Sequence, residues 1–204
     1  MWNKEHTVHS ALNQYVRKGN ARSRKCVYVV HRLDQDTTGV LVFAKTEQVQ
    51  NFLKDNWKST IKTYYTVVHG RLAQKTGTFS SYLVEDEGYK MHSTSDSKGK
   101  LSHTAYTVLE ETDKFSLLKI DFLTGRKNQI RVHLADAGHP VVGDAKYGKG
   151  GARHHRLALH SQSISLTHPF SGQRVTFAVP VPEYFSALMG HRNQGSRMTE
   201  HFLK

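Results

Sequence analysis

The sequence is short of cysteine, of long apolar runs and of acidic residues, and each shortage narrows what the chain can be. Cys26 is the one cysteine in 204 residues. No disulfide can therefore form within the chain, which fits a reducing, cytoplasmic setting. Cys26 sits in the apolar run 26–30 and reads as a buried structural thiol. No CxxC pair occurs, and the fourteen histidines are scattered without cysteines or carboxylates at ligand spacing, so no metal site is expected. The pair His154-His155 comes nearest, in a Gly/Arg-rich loop that reads as solvated. No apolar stretch is long enough to span a bilayer, and the N-terminus has no signal-peptide pattern. Acidic residues number 17 against 29 Lys plus Arg, a formal net charge of +12. Such a charge says nothing about fold, but it makes a polyanion a natural partner, because each neutralised phosphate releases counterions.

What remains is a globular balance, 37% hydrophobic and 23% charged, in a chain long enough to bury a core. Val8, Leu12, Tyr15 and Val16 give a weak helical pattern, followed by a basic, glycine-bearing loop over 18–25. Residues 26–30 and 40–44 read as two buried strands around a polar loop. Thr46 is a helix N-cap, with Val49, Phe52, Leu53 and Trp57 at helical spacing. Residues 62–70 alternate as a strand, with Tyr64, Thr66 and Val68 on one face. Signals are weaker over 71–102, where Gly77, Gly88 and Gly99 interrupt short strands. Strands follow at 103–109 and 115–123. A helix is read over 127–137 from Ile130, Leu134 and Ala137, with Gly138 as its C-cap. Residues 149–151 form a glycine loop, 156–166 and 174–179 are strands, and 183–189 is a short helix. Strands outnumber helices and most connections are short. The expectation is one α+β domain over 1–190 on a mixed, mostly antiparallel sheet with flanking helices, and a polar, frayed tail over 191–204.

The most informative segment is His31-Arg32-Leu33-Asp34-Gln35-Asp36-Thr37-Thr38-Gly39. Strands on either side hold such a loop rigidly while its side chains stay available for chemistry. An ordinary turn capped by Asp34 or Asp36 would explain part of this set but not all of it.

This segment resembles the HRLDxxTSG signature of the RluA-type RNA pseudouridine synthases, with Thr38 in place of the usual Ser. The likeness continues in order. Residues 62–70 resemble the family's KxYxAxVxG strand. Residues 123–134 resemble LxTGRxHQIRVHL, with Asn128 where His is common. The blocks 138–148, 156–160 and 168–172 also match. Five motifs in register carry more weight than any one. The family's N-terminal strand and NKPxG-type loop have no counterpart here, so the resemblance implies a sheet shortened at that edge.

The resemblance implies an isomerase that converts uridine in ribosomal or transfer RNA to pseudouridine, needing no cofactor or metal. Asp34 would be the carboxylate acting at the sugar or base, Arg126 the cation that orients it, and Tyr64 the ring against the uracil. A stacked uridine must first be extruded, and Arg32 would fill the gap it leaves. His31, Thr37, Ile130 and Arg131 would complete the RNA contacts, with Leu123 as a further apolar candidate. Basic residues over 17–25 would follow the phosphate backbone. A monomer is the default state.

Two rivals differ in class. Asp34-Gln35-Asp36-Thr37-Thr38 also fits the DxDxT pattern of magnesium-dependent phosphatases, although a partner for the acid Asp144 is lacking in sequence and the chain is basic. Alternatively, the chain is an RNA-binding module that has lost turnover.

Overall fold

The computed structural model describes residues 7–20, 22–148 and 156–191. The glycine loop at 149–151, the His154-His155 pair and the tail beyond His191 lie outside them. The architecture is α+β, and its contacts gather into two compact units. One comprises residues 1–33, 41–60 and 165–175. The other comprises 34–40, 61–164 and 176–204.

The smaller unit begins with helix α1, Val8–Arg17, whose N-cap Thr7 accepts from the Ser10 amide. Strand β1 (Tyr28–Val29) follows. It pairs antiparallel with Phe43–Ala44, the third strand of the chain and hence β3, through Tyr28 opposite Ala44. Both strands are shorter than the apolar runs suggested. Helix α2 (Glu47–Asp55) starts at Thr46, whose hydroxyl accepts from the Val49 amide, and buries Leu53. The expected cap is thus the observed one.

The larger unit carries most of the sheet. Strand β2 (Thr38–Gly39) lies inside the segment expected to be loop. Next come β4 (Ile61–His69), β5 (Thr76–Glu85), β6 (Met91–Thr94), β7 (Lys100–Glu111) and β8 (Phe115–Phe122). Helix α3 (Gln129–Asp136), β9 (Leu159–Thr167), β10 (Arg174–Ala178) and α4 (Glu183–Leu188) complete the chain. The strand order is β10-β9-β4-β8-β7-β5-β6, and β2 joins β9 in parallel. The registers β4–β8, β7–β8, β5–β7 and β5–β6 are all antiparallel. The sheet is therefore mixed and mostly antiparallel, as the sequence indicated.

Central strands explain the stability of this frame. Val67, Val68, Leu117, Leu118 and Ile120 of β4 and β8 are fully buried, as are Leu134 of α3 and Phe185 of α4. Each such side chain contributes roughly 1.5–3 kcal/mol on leaving water. β4 is buried on both faces along most of its length, so it is a rigid rail for what it carries.

The short parallel pair β2–β9 fixes the polar loop. Thr38 lies opposite His160 and Gly39 opposite Ser161, and the Val40 amide donates to the Ser161 carbonyl at 2.8 Å. A Cβ on Gly39 would meet that carbonyl oxygen at 2.1 Å, and its φ of +113° is one that side-chain-bearing residues avoid. We therefore expect Gly39→Ala to destabilise the chain by roughly 1–3 kcal/mol. Urea denaturation measures this, and an unchanged midpoint would show that the strands do not approach so closely.

Candidate active site

The site is a set of charged and aromatic side chains converging on Asp34 within the larger unit. Asp34 follows the apolar segment and opens a tight turn in which its carbonyl accepts from the Thr37 amide at 3.0 Å. Its side chain is 18% exposed, so it is accessible yet sheltered. The Thr37 hydroxyl is buried and has no hydrogen-bond partner among the described residues. The next hydroxyl, Thr38 Oγ1, forms a 2.7 Å hydrogen bond with His160 Nδ1, tying the loop to β9 a second time.

The cation that meets Asp34 is Arg131. Its Nη1 donates to Asp34 Oδ2 at 3.4 Å, while Nε and Nη2 donate to the two oxygens of Asp144 at 2.8 and 2.7 Å. Arg126, expected at this position, is exposed and forms no ion pair among the described residues; its backbone N–H donates to Gln129 Oε1 and its carbonyl accepts from the Gln129 amide. The reason is geometric. Asn128 takes a left-handed φ of 52°, and α3 starts at Gln129, so Arg126 remains on the approach turn while Arg131 lies inside the helix. The family resemblance had placed Arg131 among the RNA contacts. In fact six consecutive residues, Gln129 to Leu134, are all buried, and such a helix has no polar face from which to read its neighbours.

Asp144 was not singled out as a site residue from the sequence. Its side chain is fully inaccessible. Burial pushes its carboxyl upward, but the Arg131 guanidinium and the Tyr147 and Lys146 amides outweigh that and hold it below its ordinary value. Burial likewise works against the Arg131 charge, and the hydrogen bonds and charge of Asp144, then of Asp34, more than restore it. The Tyr147 ring covers the guanidinium at 5.2 Å, its hydroxyl donating to Asn128 Oδ1 at 3.2 Å and accepting from the Met91 amide at 3.1 Å. Asp144 also closes the turn on Gly148, where a Cβ would meet the Asp144 carbonyl oxygen at 2.3 Å. The phosphatase reading needs Asp144 as a free acid beside Asp34, yet both of its oxygens are occupied by Arg131.

Tyr64 stands on β4 with its ring edge-on to Phe122 at 5.3 Å. Burial, and the negative charge of Asp34, push its phenol up to about 12, so it is protonated at neutral pH. Ile130 is 4% exposed and serves the core. In the smaller unit, His31 Nε2 accepts from the Val42 amide at 3.0 Å and its ring stacks on Trp57 at 4.7 Å, an internal brace. Arg32 is exposed and has no ion pair among the described residues. Cys26 is half-buried, less enclosed than its apolar run suggested. Among the described residues no cluster of three His, Cys, Asp or Glu could hold a metal.

Behind the site, Gln129 stitches the approach turn to β7. Its amide nitrogen donates to His103 O and Thr104 Oγ1, both at 2.9 Å, and its oxygen accepts from Thr124 Oγ1 and the Arg126 amide. His133 lies beside it, hydrogen-bonded to Thr104 Oγ1 at 2.9 Å and Ser81 Oγ at 3.0 Å.

With this geometry in place, the comparisons with known proteins identify the class. The family described as RNA pseudouridylate synthase matches residues 2–136, and the chain belongs to it. A Bacillus subtilis (strain 168) protein named uncharacterized RNA pseudouridine synthase YhcT is 36% identical over 157 residues, covering 75% of this chain and 52% of its own. Ribosomal large subunit pseudouridine synthase D of Nitrosomonas europaea is 37% identical over 172 residues, covering 79% and 50%. The chain thus spans about half the length of these curated relatives. The structure of human RNA Pseudouridylate Synthase Domain Containing 4 superposes with a TM-score of 0.74 at 22% identity, over 90% of this chain and 81% of that one. At that identity it shows the fold.

Two stability predictions follow from the charges. Arg131→Ala strands Asp144 as an unpaired buried carboxylate and should cost about 3–5 kcal/mol, whereas Arg126→Ala should stay within about 0.5 kcal/mol of the parent; denaturant unfolding of the two compares them. Burial also holds His133 and His160 below the ordinary histidine value of 6.5. The unfolded chain then binds protons that the folded chain refuses, so their stabilisation is complete above about pH 6.5 and is lost as pH falls below it. Unfolding free energies at pH 7.5 and 5.5 should show the decline, and His133→Gln should reduce its slope.

Proposed function

We propose that the chain isomerises uridine in structured RNA to pseudouridine, with Asp34 as the carboxylate that acts on the extruded nucleotide. The observation that carries this reading is the geometry around Asp34. A sheltered carboxylate is held by one arginine at 3.4 Å, and its charge reaches the phenol of Tyr64 on a buried strand. In the reaction the C1′–N1 bond breaks, the base turns, C1′ bonds to C5, a proton leaves C5 and N1 gains one. Nothing is oxidised or reduced. A carboxylate suits the electron-poor, oxocarbenium-like sugar that develops as the glycosidic bond opens. Tyr64 enters the reaction as a phenol, a ring surface and a hydrogen-bond donor for the uracil.

Arg32, exposed and unpaired in the described structure, is the residue to stack in the gap left by the flipped base. Thr37, with its unpartnered hydroxyl, is suited to an RNA contact within the loop. Arg17, Lys18, Arg22, Arg24 and Lys25 are exposed and suit the phosphate backbone. The name of the Nitrosomonas relative favours ribosomal RNA of the large subunit as target, with transfer RNA as the alternative. Its single cysteine fits a cytoplasmic location, and it acts as a monomer.

The test is tritium release from RNA labelled at C5 of uridine, with ribosomal and transfer RNA assayed separately and without added metal. The wild type should release tritium, and Asp34→Asn should lower the rate by at least about a thousand-fold while still binding RNA. Release by Asp34→Asn at the wild-type rate would remove Asp34 from the chemistry. Binding without release by the wild type would favour the non-catalytic RNA-binding reading.

A further inference from the structure

Away from Asp34, one aromatic side chain is displayed to solvent on a strained backbone. We propose that this residue, Tyr89 at the tip of the hairpin between β5 and β6, is a stacking platform for an unpaired base of the RNA strand that carries the uridine. The proposal rests on the pseudouridine synthase reading and adds a base contact to it.

The backbone of Tyr89 is left-handed, with a φ of 58°, and the residue is 74% exposed. For a bulky side chain this conformation is a steric outlier, whereas glycine adopts it freely. The ring is not tucked against the core. Instead the backbone around it is locked. The Asp86 amide donates to the Lys90 carbonyl at 2.9 Å and the Tyr89 amide to the Asp86 carbonyl at 3.0 Å. The Tyr89 carbonyl accepts from Lys127 Nζ at 3.1 Å and from Lys146 Nζ at 3.0 Å, and Lys127 also pairs with Glu85. A fold that needed only a tight turn would be served better by glycine at this position. The strain therefore serves to display the ring.

The two lysines tie the tip to the site. Lys127 lies in the turn that leads into α3, and Lys146 lies between Asp144 and Tyr147. The Tyr147 ring covers the Arg131 guanidinium at 5.2 Å, and Arg131 meets Asp34. The Tyr147 hydroxyl accepts from the amide of Met91, the first residue of β6 after the tip. Tyr89 is thus fixed relative to Asp34, as a residue that orients a bound strand must be.

The charges around the ring select its ligand. Lys90 and Lys146 are exposed near the tip, but so are Glu85, Asp86 and Glu87 on the tip itself. Those carboxylates repel phosphates, so the backbone of a duplex is disfavoured there. An uncharged base face is not. The Lys127 ammonium lies over one face of the Tyr89 ring, 5.7 Å from its centroid, and the other face is left for a base. A base splayed from a single strand can stack there while its phosphates turn toward Lys90 and Lys146. The net charge of +12 supplies the wider attraction.

The test compares wild type, Tyr89→Phe and Tyr89→Gly in urea unfolding, in C5-tritium release, and in binding of single-stranded oligouridylate and of an RNA duplex followed by fluorescence anisotropy. Tyr89→Gly relieves the backbone and should unfold at a urea concentration no lower than wild type. The same variant should raise KM for RNA and Kd for the single strand about ten-fold, with a much smaller change in Kd for the duplex. Tyr89→Phe should bring both constants back to within about two-fold of wild type, because the ring stacks and the hydroxyl does not. KM and Kd of Tyr89→Gly within two-fold of wild type would overturn the proposal. So would an equal loss in Tyr89→Phe, an equal loss for the duplex, or a lower unfolding midpoint that assigns the ring to the fold. A wild type that binds the single strand but releases no tritium defeats the reading of Asp34 instead, and the anisotropy comparison still decides Tyr89. A wild type that binds no single strand overturns the stacking proposal.

Discussion

The Arg131–Asp144 pair is the interaction on which the site depends. A buried ion pair is not a cheap source of stability, since desolvation of both groups offsets much of their attraction. Its presence here makes sense as a device for geometry. The carboxylate of Asp144 is inaccessible and saturated with donors, and the guanidinium that it holds reaches out to Asp34 by its remaining edge. Remove either partner and the other is left as an uncompensated buried charge, so the site and the local fold are coupled through one contact.

The rest of the larger unit is arranged to keep that contact in register. β4 is buried almost throughout; it presents Tyr64 on one side of the site and, through Val67 and Val68, anchors the segment leading to Asp144. The two-residue strand β2, closed against β9 at Gly39, fixes the other side, where Asp34 opens its turn. Gln129 and His133 secure the start of α3 from behind, through hydroxyls of Ser81, Thr104 and Thr124. Asp34, Tyr64 and Arg131 are thus delivered by three segments distant in sequence, each with its own backbone anchor.

Much of this was legible in the sequence, and the parts that were not have physical reasons. The α+β class, the alternation of β4 and the cap at Thr46 follow from local periodicity and turn chemistry, while Gly138, expected to cap α3, lies one residue beyond its C-cap Ala137 with a φ of +84°. Asp34 and Tyr64 stood out because motif and spacing agreed. Arg131 was read as an RNA contact and Arg126 as the partner of Asp34 from the family resemblance, and a helix buried on all sides carries no amphipathic stripe that could have shown which residues face inward. Asp144 looked isolated, since its partner is thirteen residues away and in another element. Strand β2 was read as loop because a two-residue parallel pair is created by a tertiary contact with Ser161 and not by propensity. The strands β5 and β6 were faint for a similar reason, their glycine-interrupted sequences being held by pairing across the sheet.

The proposed isomerisation needs no oxidant and no change of mass, which makes its product easy to define. The most direct measurement is mass spectrometry of nucleosides from RNA treated with the purified chain. The account requires a nucleoside of the same mass as uridine whose base does not separate from ribose on fragmentation, because the new bond is carbon to carbon. It should form with the wild type and be absent with Asp34→Asn. No such nucleoside from the wild type, or equal amounts from both proteins, would contradict the assignment of this site.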